Sequence, residues 1–89
     1  MQNIDQDKNQ KFETTSLNLA STLVALGNSL VGMKKSDGHR ITFEFDQNPT
    51  LDKLLDAFWN RTLSVEPNTL FEAQKFLKSC IYEGTYGAQ

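Results

Sequence analysis

The 89-residue chain carries nine Lys and Arg against eleven Asp and Glu, a net charge of −2, with 38% apolar residues. A chain of this length forms one small domain burying about 60–65% of the surface its unfolded form exposes. It has no overall basic field to hold it on DNA, RNA or an anionic membrane, so contact with a polyanion requires a local patch. The single cysteine, Cys80, excludes an intramolecular disulfide and a CxxC-type zinc site. The longest apolar run, Leu23 to Leu26, is far below the roughly 20 residues of a membrane span. The polar opening MQNIDQDKNQK lacks the apolar segment of a secretion signal, and the expected location is cytoplasmic.

Residues 1–10, with only Met1 and Ile4 apolar, read as a disordered tail, and a single domain is expected over 11–84. Lys11 to Thr15 reads as a short strand with Phe12 pointing inward. Ser16 is an N-cap for a helix over Leu17–Leu26, whose Leu19, Ala20, Leu23, Val24 and Leu26 recur at helical spacing. Gly27 or Asn28 supplies the left-handed residue that ends it.

A hairpin follows around Asp37-Gly38. A two-residue turn would set Lys34 against Ile41, whereas a bulged Ser36-Asp37-Gly38 loop sets Met33 against Ile41 and Val31 against Phe43. The second register is preferred because it gathers Val31, Met33, Ile41, Phe43 and Phe45 on one face and Lys34, Arg40, Thr42 and Glu44 on the other. Asn48-Pro49-Thr50 opens a helix with Leu51, Leu54, Leu55, Phe58 and Trp59 as its apolar positions, ending near Asn60. Leu63 to Val65 is a candidate edge strand. Glu66-Pro67 starts a last helix whose inner stripe is expected to be Leu70, Phe71, Ala73, Leu77, Cys80 and Ile81, with Gly84 as its stop and 85–89 as a loose tail. The order β-α-β-β-α-(β)-α predicts an α+β domain, a small antiparallel sheet with two to three helices on one face.

The segments FETTSLNLASTLVALG, LVGMKKSDGHRITFEFD, NPTLDKLLDAFWN and LFEAQKFLKSCIYE, spanning residues 12–83, resemble a small prokaryotic and phage domain family of unknown function. Phe58-Trp59-Asn60, and Leu77-Lys78 with Ile81-Tyr82, are the most specific pieces. The resemblance implies a compact domain met in phage and mobile-element genomes, with no assigned activity and no catalytic residue to transfer.

Two surfaces are candidates for function. Lys34, Lys35, His39 and Arg40 cluster around the hairpin, and in either expected register a lysine sits beside Arg40 across the strands. Like charges so opposed are mildly destabilising, which hints at an anionic partner such as nucleic acid. A solvated outer face with lysines guarding a sheet edge explains the same residues and is favoured. Phe43 and Phe45 alternate like a base-stacking platform, but their face is needed for the core. Trp59 and Arg61, at the end of the second helix, and Tyr82, on the last, are residue types that anchor interfaces, with Tyr86 a possible extension.

The chain offers little for catalysis. His39 lies at a hairpin tip, Cys80 on an inner stripe, and Asp46, Asp52 and Asp56 read as solvated carboxylates rather than a cation site. No glycine-rich phosphate loop is present. The expectation is a non-enzymatic interaction module without cofactor or metal. It would act by protein contact or self-association through Trp59, Arg61 and Tyr82, inhibition of a host complex being one form of this. A nucleic-acid binder using Lys34, Lys35, His39 and Arg40 is the alternative.

Overall fold

Three strands and three helices account for the hydrophobic pattern: β1 (Lys11–Thr14), α1 (Leu17–Ala25), β2 (Leu30–Lys35), β3 (Ile41–Asp46), α2 (Pro49–Trp59) and α3 (Pro67–Glu83). The computed structural model describes residues 10–36 and 40–83. The expected tails, the Asp37-Gly38 turn, the Gly84 stop, His39 and Tyr86 lie outside the described residues.

Helix starts follow the side-chain chemistry of the residues before them. Ser16 accepts the Leu19 N–H at 3.1 Å and Asn48 accepts the Leu51 N–H at 2.8 Å, each satisfying a donor that the first turn leaves without a partner. Pro49 costs α2 nothing in its first turn, where no intrahelical acceptor exists for its missing N–H. Glu66 caps α3, its carboxylate taking the Thr69 N–H at 2.8 Å and the Thr69 hydroxyl at 2.9 Å. These bonds, the backbone one first, hold the Glu66 carboxyl below the ordinary range.

The sheet is antiparallel with strand order β1-β3-β2. Both β1 and β2 run antiparallel to β3, so they are parallel to each other with β3 inserted between them, a split β-α-β arrangement crossed by α1. On the inner face Phe43 and Phe45 meet Leu19, Ala20 and Leu23 of α1, Leu51 of α2, Leu77 of α3 and Met33 of β2. The helices thus cover one face, and Lys11, Glu13, Gly32, Lys34, Thr42, Glu44 and Asp46 alternate onto the other.

The hairpin takes neither expected register. Met33 pairs with Phe43, Lys34 with Thr42 and Lys35 with Ile41, and a bulge falls between Leu30 and Gly32. That bulge turns Val31 outward, 40% exposed, and gives the inner position opposite Phe45 to Leu30. Two further expectations give way. Leu63 and Val65 form no strand but line a shallow groove with Thr22, Phe58 and Leu70. Phe71 leaves the inner stripe of α3, because Leu70, Ala73 and Leu77 already fill it and Phe71 stands a further 100° round the helix from Leu70.

One core position is imperfect. Ser21 on α1 is fully buried and its hydroxyl has no partner among the described residues. Its neighbour Thr22 does bond back, to the Asn18 carbonyl at 2.8 Å. A buried hydroxyl without a partner costs about 1–3 kcal/mol. Ser21→Ala is therefore expected to stabilise the domain by about 1 kcal/mol, raising Tm by roughly 4–8 °C in a thermal melt; a lowered Tm would show that the hydroxyl is satisfied.

Candidate functional site

The charged hairpin resolves into a compensated cluster. Lys34 reaches across the open face of the sheet to Glu13 on β1 and Glu44 on β3, 3.1 Å from each carboxylate. Glu13 and Glu44 are directly paired across the strands, so their like charges would repel without the lysine between them. Gly32 makes room: a Cβ there would lie 2.6 Å from a Glu44 carboxylate oxygen. Lys34 consequently faces Thr42 and the two glutamates, not Arg40, which corrects the expected pairing of cations. Lys11 and Asp46, 3.8 Å apart, balance the far end of the same face. Lys35 and Arg40 stay exposed, with no ion pair to a described carboxylate.

The hydrogen bond from Lys34 depresses Glu13 below the ordinary carboxylate value, and Lys34 is raised above its own, Glu44 contributing most and Glu13 next. A depressed acid stabilises the fold above its unfolded value and a raised base below its own. The contribution is thus complete between pH 4.5 and 10.5 and fades outside that window, as pH falls through the folded Glu13 value or rises through the folded Lys34 value. Lys34→Met is expected to lower Tm at neutral pH and to lose less at 1 M salt, where exposed charges are screened; identical pH and salt profiles for variant and parent would remove this role.

The exposed aromatics form the other candidate. Trp59 is 67% exposed, Phe71 59%, Phe76 51% and Tyr82 88%. Trp59 leans edge-on against Phe58 with ring centroids 5.0 Å apart, which leaves most of the indole open. Arg61 lines the shallow groove of Leu63, Val65 and Leu70. Tyr82 lies twelve residues beyond Leu70 on α3, about 18 Å along the helix, so the structure brings Trp59 and Arg61 together but sets Tyr82 apart.

The conformation of Arg61 is unusual. Helices α1 and α2 end in the same motif, with crossed bonds from Asn28 N–H to the Leu23 carbonyl and Gly27 N–H to the Val24 carbonyl, and from Thr62 N–H to the Ala57 carbonyl and Arg61 N–H to the Phe58 carbonyl. The left-handed position is Gly27 in the first, at φ 97°, and Arg61 in the second, at φ 63°. An L side chain there costs about 1–2 kcal/mol that glycine avoids.

A second groove, of about 560 Å³, runs between β2 and α3, with Leu30, Val31, Met33, Phe76 and Cys80 among its walls. Sequence reasoning missed Phe76 and the exposure of Val31. A helical projection would have found the first, since Phe76 stands 100° from buried Leu77, but nothing local announces the bulge that exposes the second. Among the described residues no group of three or more His, Cys, Asp or Glu could hold a metal ion, and no helix is long and apolar enough to cross a membrane. Asp46 pairs with Lys11, and Asp52 accepts the Gln47 side-chain amide at 3.2 Å. Cys80 is partly buried.

A family model described as a domain of unknown function, DUF5659, matches residues 9–83. Neither the curated proteins nor the solved structures hold a significant match.

Proposed function

This chain belongs to the DUF5659 family of domains of unknown function, and we propose that it is a small non-enzymatic binding module that engages another protein or a second copy of itself. The observation that carries this is the exposure of Trp59, Phe71, Phe76 and Tyr82 on so small a domain. The exposed part of an aromatic side chain contributes little to folding, whereas at an interface it buries a large area with little loss of conformational freedom. Arg61 supports the Trp59 end of this exposure. It occupies a left-handed position that glycine would fill at lower cost, next to exposed Trp59, and strain kept where a better residue exists is characteristic of functional positions.

The nucleic-acid alternative draws less support. Lys34 is compensated by two glutamates, which leaves Lys35 and Arg40 as the cations of the hairpin without an ion pair among the described residues. Carriage by phage or mobile elements and action in the cytoplasm, inhibition of a host complex included, belong to the same proposal and rest on the motif resemblance; neighbouring genes test them.

Arg61→Gly is expected to raise stability by about 1 kcal/mol in denaturant unfolding, while weakening association. Trp59→Ala and Tyr82→Ala should change stability by no more than about 1 kcal/mol and reduce self-association in light scattering, or recovery of a partner in affinity isolation from the native cell. A strict monomer that recovers no partner overturns the proposal. So does steeply salt-dependent binding of labelled DNA or RNA that Lys35→Glu with Arg40→Glu abolishes.

A further inference from the structure

We infer that the groove between the open edge of β2 and helix α3 receives an extended segment of another protein, apolar at alternate positions and acidic at the end next to Lys35 and Arg40. The inference rests on the protein-binding function proposed above and adds to the Trp59 surface a second, separate site with the chemistry of its partner.

Strand order β1-β3-β2 leaves the outer edge of β2 without a neighbouring strand among the described residues. The Ser36 N–H bonds to the Arg40 carbonyl at 2.8 Å and closes the hairpin. Antiparallel pairs alternate in the direction of their backbone groups. Counting from that bond, Gly32 and Lys34 face β3, and Met33 and Lys35 turn their N–H and C=O groups to the open edge. An extended chain laid along β2 completes this ladder, as in other cases of recognition by strand addition.

Beside the ladder lies the groove, about 560 Å³ in volume, with Val24, Leu30, Met33 and Cys80 at its base. Val31 and Phe76 stand on its rim with exposed apolar surface. In an added strand alternate side chains point to the same side, so apolar residues at alternate positions would enter between Val31 and Phe76.

Charge selects the occupant. Beyond the groove β2 ends in Lys35, followed by Arg40 across the loop, and neither is paired with a described carboxylate. Lysines and a bulge are the devices by which edge strands resist indiscriminate addition. Here they admit a strand that brings its own acids. A second copy pairing through β2 offers none, because Leu30–Lys35 contains no Asp or Glu.

The test is selection from a phage-displayed library of random nonapeptides on the full chain, followed by synthesis of the enriched peptides. Peptides with alternating apolar residues and a terminal acid are expected. Their affinity should fall at least about tenfold in Val31→Asp with Phe76→Asp, a change large enough to mark residues at the centre of a contact. A similar loss is expected in Lys35→Glu with Arg40→Glu, reversed when the peptide acids become lysines, and no change is expected in Trp59→Ala. Amide exchange at Met33 and Lys35 of the unmutated protein should slow on peptide binding, a readout independent of how the variants fold. No enrichment overturns the groove, as do peptides that bind the Asp variant undiminished, peptides that bind as helices, or dimerisation that slows the same amides without peptide. Peptides lost in Trp59→Ala alone would also sink the groove while leaving the protein-binding function standing.

Discussion

Everything in this domain depends on the alternation of Phe43, Glu44 and Phe45 along the central strand. Both phenylalanines are buried against α1, α2 and α3, and because β3 pairs on both sides, they anchor the other two strands as well as the helices. Between them Glu44 turns to the open face, where Lys34 crosses the sheet to meet it and Glu13. One tripeptide thus sets the apolar core and the centre of the charge cluster. Its neighbour Gly32 adjoins the same cluster, since a side chain there would push the Glu44 carboxylate out of its present place.

A core this small has room for few aromatics. Leu19, Leu23, Leu51 and Leu77 fill the space over Phe43 and Phe45. Helix α3 lies against α1 along Ala73 and Leu77, and its three aromatics, Phe71, Phe76 and Tyr82, are left outside. Small domains bury a limited fraction of their surface, but scattered exposure is distributed among residue types, whereas here it concentrates on large aromatic side chains. That concentration, with the left-handed Arg61, is what the proposed binding function rests on.

The lysines of the hairpin illustrate how tertiary structure assigns roles to similar residues. Lys34 and Lys35 are adjacent in sequence and point to opposite faces of β2. The first is held by two carboxylates drawn from the other two strands, and the second remains exposed at the edge. Of the positive charges clustered in the sequence, Lys34 is therefore compensated within the domain.

Much of the architecture was legible because it is local. Ser16, Asn48 and Glu66-Pro67 start the helices they were expected to start, and Gly27 takes the left-handed position after α1. The inner face of the hairpin was legible even though the register was not. Met33 was expected opposite Ile41 and stands opposite Phe43, a slip of two residues that preserves the side on which every side chain points. The bulge alone departs from this, bringing Leu30 to the inner position opposite Phe45 and leaving Val31 exposed on the rim of the groove.

By itself the sequence determined element types, helix caps and which residues share a face, because these follow from periodicity and from bonds spanning three or four residues. The tertiary structure alone decided the insertion of β3 between β1 and β2, the bulge at Val31, the capture of Lys34 by Glu13 and Glu44, and the exposure of Phe71 and Phe76. Periodicity states that a face exists but not what covers it; that depends on which distant segments compete for the same core, and here β1 and α3 settle it.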